Sequence, residues 1–232
     1  MVKNKNFIVI ALGGSLIVPD EIDAVFIKNF RDLIVGRAKK GFKFIIVCGG
    51  GKMARKYQNA AKSIAKISNE DADWLGILAT RINAALLKST LGELAHPDVI
   101  ENPFGKIDFG KKVILFSGGW KPGFSTDYLS VLLAKRFRAE KVLNLTNIDY
   151  VYDKDPKKFK DAKQIKNIYW KEFRKLLPKK WSPGLNAPFD PIASKEAEKA
   201  GVEVAILNGK KLKNIEDYLN GKNFIGTLIK KL

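Results

Sequence analysis

Glycine recurs in three clusters, and each cluster follows an apolar run. Gly13-Gly14-Ser15 follows Phe7 to Leu12, Gly49-Gly50-Gly51 follows Phe44 to Cys48, and Ser117-Gly118-Gly119 follows Val113 to Phe116. Glycine has no Cβ and tolerates positive φ, so a second backbone or a ligand can come close to it. Helix-like segments follow the loops, so N–H groups at helix N-termini face the same edge. Such donors suit an anion, and phosphate best. A P-loop would need glycine, four spacers and then Gly-Lys-Ser/Thr, and a dinucleotide fingerprint would need Gly-x-Gly-x-x-Gly. Neither device occurs here.

Two further stretches carry polar chemistry. Gly118-Gly119-Trp120-Lys121-Pro122-Gly123-Phe124-Ser125-Thr126-Asp127 is a long loop that ends at a helix start. Ser125 or Thr126 can serve as the helix N-cap, while the length of the loop and its place after a strand favour ligand binding. The run from Thr146 to Pro156 combines hydroxyl and amide donors, carboxylates, and tyrosines able to pack on a base or ribose. Asp127 and Asp190 either orient lysines or cap helices, and both readings stay open. The single histidine, His96, precedes Pro97 in an apparent loop and reads as incidental. The single cysteine, Cys48, reads as a small core hydrophobe.

The elements that must position these residues alternate. Apolar runs at 7–12, 43–48, 113–116, 141–145 and 202–207 predict short buried strands. Helical periodicity predicts helices over 22–38, 52–66, 71–91, 126–137, 170–177, 192–200 and 212–219. Small and apolar residues of the third helix (Leu75, Leu78, Ala79, Ile82, Ala85, Leu86) predict burial, partly at a subunit interface. Trp181 to Pro188 reads as a mobile loop. The expected fold is α/β, a mostly parallel sheet sandwiched between helices. The second half reads as a lobe on the same sheet. One domain over 1–232 is expected, with an acceptor-side lobe at 1–140 and a second lobe at 141–232.

Composition narrows the class. The chain has 232 residues, 46% hydrophobic and 28% charged, enough for a sizeable core. No apolar stretch approaches the ~18 residues of a membrane span. Residues 1–5 lead straight into a strand without a signal-peptide layout, which fits a cytoplasmic protein. The net charge is +18, but the lysine pairs are spread along the chain and no RNA-binding signature accompanies them. A solvated basic surface explains that charge at least as well as a nucleic-acid footprint.

Taken in order, these motifs resemble the amino acid kinase superfamily, most closely its archaeal-type uridylate kinases. The matching pieces are Leu12-Gly13-Gly14-Ser15, Gly49-Gly50-Gly51-Lys52-Met53-Ala54-Arg55, Asp73-Trp74-Leu75-Gly76 with Asn83, Pro122 to Asp127, Thr146 to Tyr152 with Asp155-Pro156, and Asp190 to Lys195. The resemblance implies an α/β/α kinase that moves the ATP γ-phosphate to UMP, with Mg²⁺ held mainly by ATP oxygens. Gly13, Gly14, Ser15, Gly51 and Arg55 would hold the ATP phosphates. Thr146, Asn147, Tyr152 and Asp155 would form the adenosine pocket. Gly50, Asp73, Gly119, Trp120, Lys121, Pro122, Gly123, Phe124, Ser125 and Thr126 would bind UMP. Arg55 and Asp127 are the candidate catalytic residues, and no protein metal site is expected. A cytoplasmic homohexamer built on dimers is implied.

Two positions depart from the family pattern. Ala11 stands where a phosphate-neutralising Lys is common, which leaves Lys52, Lys121 and Lys195 as substitutes. Tyr150 stands at a usual glycine, and a positive φ there would mean strain or a rearranged turn. Rival readings are a sister kinase for isopentenyl phosphate, carbamate or an amino acid, a non-catalytic nucleotide-binding regulatory or storage protein, and an RNA binder. The isopentenyl phosphate kinases use a histidine near the acceptor, and the helices after the triple glycine contain none.

Overall fold

The structure is a computed structural model that describes residues 7–178 and 187–231. In chain order its elements are β1 (Phe7–Leu12), α1 (Gly14–Ile17), α2 (Ala24–Ala38), β2 (Lys43–Cys48), α3 (Gly51–Ile64), α4 (Asn69–Ser89), β3 (Ala95–Ile100), β4 (Ile114–Ser117), α5 (Thr126–Phe137) and β5 (Lys141–Thr146). They continue with β6 (Val151–Tyr152), β7 (Gln164–Ile165), β8 (Asn167–Tyr169), α6 (Trp170–Phe173), α7 (Pro191–Ala200), β9 (Glu203–Asn208), α8 (Leu212–Leu219) and β10 (Thr227–Lys230). One eight-stranded sheet runs in the order β3-β4-β2-β1-β5-β9-β10-β8. It is parallel from β3 to β9, and β10 pairs antiparallel with β9. The expected α/β sandwich is what forms.

Alternation along the strands makes two cores. In β1, Val9 and Ala11 face one way, with Ile45, Val142 and Val204, against Leu129, Leu133, Ala193 and Trp170. Ile10 and Leu12 face the other way, with Phe44, Ile46 and Leu143, against Phe30, Ile34, Leu87 and Ile215. Both faces are apolar because both are covered by helices, as a parallel sheet requires. Cys48 is buried in β2, and burial pushes its thiol far above the ordinary range, so it is inert packing.

Several expectations need correction. Residues 95–100 form an edge strand, so His96 is not in a loop. Pro97 and Asp98 fit only an edge, where one side of the strand needs no ladder bonds. Of the α4 residues expected to be buried, Ala79 is buried and Leu75, Ala85 and Leu86 are half-buried, but Leu78 and Ile82 are 56% and 55% exposed within one chain. The helix packs Ala79, Ala84 and Leu87 against the protein. The helix expected over 170–177 is a single α-turn followed by a 3₁₀ turn at Arg174–Leu176. Tyr150 is not in the left-handed region, where Arg138 is the only non-glycine among the described residues. The turn is therefore built without positive φ. Of the loop expected at 181–188, residues 181–186 lie outside the described residues.

At the carboxyl end of β1 the loops of β1 and β2 meet backbone to backbone. A Cβ on Gly14 would stand 2.3 Å from the Gly51 nitrogen and 2.4 Å from the Gly49 oxygen. Neither neighbour can rotate away, as a side chain could. Gly36, on the exposed side of α2, has nothing within 4 Å of an added Cβ. Gly14→Ala should therefore lower the melting temperature by more than about 4 °C, while Gly36→Ala should raise it by a few degrees through helix propensity. Paired thermal melts check this, and equal shifts in the two variants would contradict the close approach.

Candidate functional site

The sheet order reverses at β1, whose neighbours β2 and β5 are reached by helices on opposite faces. Open α/β sheets place their ligand crevice at such a switch point, outside the strand carboxyl ends. A cleft of about 360 Å³ lies there. Gly13, Gly14, Ser15, Gly49, Gly50, Gly51, Arg55, Asp73, Gly119, Lys121, Phe124, Ser125, Thr126, Asp127 and Thr146 line it. All of these stood out in the sequence. Trp120, Pro122, Gly123, Asn147, Tyr152 and Asp155 also did, but they are not part of the cleft lining. Gln58, Ile77, Thr80 and Asn144 line the cleft too and were not anticipated. Their types, an amide, a threonine and an aliphatic on helices or a buried strand, carry no site signal in one sequence.

The glycine loops give the cleft its donors. α1 starts after Gly13 and α3 after Gly50, and neither start has a side-chain cap. α5 and α7, whose starts also border the cleft, are capped by Ser125 and Asp190. The first-turn N–H groups of α3 thus remain free for an anion, with the positive end of the helix dipole behind them. Asn83 holds the loop from below, donating Nδ2 to the Gly49 carbonyl at 2.8 Å. Gln58 ties α3 to α4 through the Ala72 carbonyl at 2.7 Å.

The loop 118–125 leans on α4. Thr80 Oγ1 accepts from the Gly119 N–H at 2.5 Å, and Asp73 Oδ2 accepts from the Gly123 N–H at 2.9 Å. Asp73 therefore spans the cleft and its covering loop. Trp120, Phe124 and Tyr128 pack in series as tilted ring pairs with centroids 5.0 and 5.2 Å apart. Lys121 Nζ sits 4.4 Å from the Trp120 ring centroid, a cation–π contact at the cleft wall.

Cations near the cleft are few. Lys52 turns away to Asp20 at 2.8 Å, and exposed Lys195 does not line the cleft. Arg55 and Lys121 are the basic side chains that line it among the described residues. Ala11 is buried and paired in register with Asn144, whose Nδ2 donates to the Pro188 carbonyl at 3.0 Å. A polar amide tied to the backbone thus stands beside Ala11.

The acidic residues divide clearly. Asp190 is buried and caps α7, accepting from the N–H groups of Ile192 and Ala193. Asp127 Oδ2 accepts from the Asp190 N–H at 3.0 Å. Burial pushes the Asp127 carboxyl up from 3.8 to about 7, the Asp190 charge adds to the rise, and the Asp190 N–H opposes it. Asp127 is not a cap, and no lysine is paired with it among the described residues. No group of three or more His, Cys, Asp or Glu able to hold a metal occurs among the described residues. Beyond Thr146, the next turn is fixed by Asp149, which accepts from Asn208 Nδ2 at 3.0 Å and from Lys211 Nζ at 2.7 Å.

These features define an α/β domain with a cleft at a switch point, edged by backbone donors of the kind that suit phosphate groups. The model of the amino acid kinase family matches residues 6–208. A uridylate kinase of Methanobrevibacter smithii is 34% identical over 226 residues, covering 96% of this chain and 98% of the relative. One of Thermococcus kodakarensis is 34% identical over 230 residues, covering 96% and 98%. The crystal structure of uridylate kinase from Archaeoglobus fulgidus superposes with a TM-score of 0.82 at 30% identity, covering 96% of this chain and 99% of that one. The chain belongs to the amino acid kinase family.

The Asp127 carboxyl makes a pH-dependent prediction. Its folded pKa lies above its unfolded one, so the folded state binds the extra proton between about pH 4 and pH 7. Stability from this group is therefore complete at low pH and is lost as pH rises towards 7. Asp127→Asn keeps the acceptor for the Asp190 N–H and removes the ionisation. Its melting temperature should match the wild type near pH 4 and exceed it by at least about 2–4 °C at pH 8. A difference independent of pH would contradict this reading.

Proposed function

We propose that the protein is an ATP-dependent kinase that transfers the γ-phosphate of ATP to UMP, giving UDP and ADP. The observation that carries this is the convergence of the two uncapped glycine loops, Arg55, Asp73 and the loop 119–126 on one cleft. Relatives named uridylate kinase, aligned over nearly the whole chain, support the choice of acceptor.

The reaction breaks the bond between the γ-phosphorus and its bridging oxygen to the β-phosphate. A UMP phosphate oxygen forms the new bond. That oxygen is already anionic at neutral pH, so no general base is needed, and alignment and charge neutralisation carry the catalysis. In this reading Gly13, Gly14, Ser15 and Gly51 offer backbone N–H groups to the ATP phosphates. Arg55, one turn into α3, grips phosphate oxygens of both nucleotides with its planar fork. Gly50, Asp73, Lys121, Phe124, Ser125 and Thr126 hold UMP, and Trp120, Pro122 and Gly123 shape that loop from outside the cleft. Thr146 opens the adenosine side, which Asn147, Tyr152 and Asp155 would complete. Mg²⁺, which keeps its waters and needs few protein carboxylates, would arrive on the ATP oxygens and neutralise their charge. The lobes follow as an acceptor side at 1–140 and an ATP side at 141–232.

A place in pyrimidine nucleotide synthesis in the cytoplasm fits this chemistry. No helix among the described residues is long and apolar enough to cross a membrane. We also infer a homo-oligomer, a homohexamer built on dimers. The stripe of Trp74, Leu78 and Ile82, all exposed along α4, supports it.

The test is product chromatography after incubation with ATP, Mg²⁺ and single acceptors: UMP, CMP, isopentenyl phosphate, carbamate and aspartate. UDP should form fastest. Preference for another acceptor would replace the assignment with a sister kinase, and no turnover of any acceptor would favour a binding protein.

A further inference from the structure

One arginine outside the cleft holds the covering loop by its carbonyls. Arg81, on α4, donates Nε to the Gly119 carbonyl at 3.2 Å and an Nη to the Trp120 carbonyl at 3.1 Å. Its other Nη pairs with Glu101, just after β3, at 2.7 Å. The Arg81 side chain is 20% exposed and Glu101 57%. The loop is pressed onto the helix at this point, since a Cβ on Gly118 would stand 2.8 Å from the Arg81 Cα. The Trp74 ring lies 6.0 Å from the guanidinium carbon. One planar fork thus joins α4, the loop and the β3 edge.

Peptide planarity turns this contact into a statement about donors. In a trans peptide the carbonyl and the following N–H point in opposite directions. The described residues contain no cis peptide. With the Gly119 and Trp120 carbonyls drawn to Arg81, the N–H groups of Trp120 and Lys121 point to the other side of the loop. Neither has a partner among the described residues. The preceding donor, Gly119 N–H, is already taken by Thr80. Gly119 and Lys121 both line the cleft.

We propose that Arg81 is a positioning residue for the acceptor: by gripping two successive carbonyls it presents the Trp120 and Lys121 N–H groups as a donor pair to the acceptor nucleotide. This rests on the reading of the loop as the UMP side of the cleft. Arg81 itself touches no reacting atom. Lysine cannot replace it, because a single ammonium lacks the planar fork that spans both carbonyls and Glu101.

The test uses the full chain with Arg81→Ala, Arg81→Lys and Glu101→Gln. KM and kcat are measured for UMP and ATP separately, with thermal melts and hydrogen exchange over residues 118–124. Arg81→Ala should raise KM for UMP by at least about ten-fold, leave KM for ATP within about two-fold, and speed exchange in the loop. Arg81→Lys should be as impaired as Arg81→Ala. Glu101→Gln should shift KM for UMP in the same direction by less, with an unchanged melt. An unchanged KM for UMP, rescue by lysine, or equal rises for both nucleotides would overturn the proposal. Should Arg81→Ala not fold, Glu101→Gln decides: a rise confined to UMP sustains the role and none overturns it. If the wild type does not turn over UMP, the functional reading falls by itself. Loop exchange then still decides whether Arg81 orders 118–124, wild-type-like exchange being the contrary result.

Discussion

Two stretches of backbone touch at the head of this sheet with no side chain between them, and the site depends on that contact. A methyl group on Gly14 would overlap Gly49 and Gly51, and Gly51 itself lies at φ +60°. Only glycine satisfies both conditions. The contact brings the starts of α1 and α3 together at the carboxyl ends of β1 and β2. Two sets of unsatisfied N–H groups therefore share one opening, which neither loop could provide alone. Asn83, buried in α4, fixes the Gly49 carbonyl and ties the contact to the helix that also carries the covering loop. The glycine-loop edge and the loop 118–125 are thus both held by one helix.

The electrostatics of the cleft follow from how few charges are fixed there. Ala11 adds none, Lys52 is engaged with Asp20, and Arg55 and Lys121 line the walls. In this setting a carboxylate at Asp127 would repel phosphate, and burial, with the Asp190 charge beside it, raises its pKa to about 7, so that repulsion is reduced near neutral pH. Backbone dipoles are then the main fixed feature suited to anions, and they need no side-chain ordering. The net charge of +18 acts at longer range, drawing polyanions to the surface in a salt-dependent way. Exposed ion pairs such as Lys28–Asp32 and Lys175–Glu172 add little to stability.

What could be read from the chain followed the strength of local signals. Strands that end in glycine, and helices such as 126–137 and 212–219, announce themselves by period and punctuation. The cleft lining was legible where glycines and hydroxyls cluster in loops, while Asp73, on α4, stood out only through the family resemblance. The edge strand at 95–100 was not, because His96, Pro97 and Asp98 break the alternation that marks a strand. Nor were the short pairings at 164–165, 167–169 and 227–230, which exist only because tertiary neighbours complete them. The parts played by Gln58, Thr80 and Arg81 were hidden for a related reason. Each acts on backbone groups 14 to 39 residues away, and a helix pattern assigns such side chains to a face without saying what meets it. Asp73 was singled out by the family resemblance, but its bond to Gly123 spans 50 residues and has no local signal.

The central claim is that one cleft holds both nucleotides with their phosphates meeting over the paired glycine loops. A bisubstrate compound joining adenosine and uridine through a chain of phosphates tests this directly. Inhibition kinetics with calorimetry should show one molecule bound per chain, competitive against ATP and against UMP, with an affinity well above that of either nucleotide. Competition against only one nucleotide, or two molecules bound per chain, would contradict the account.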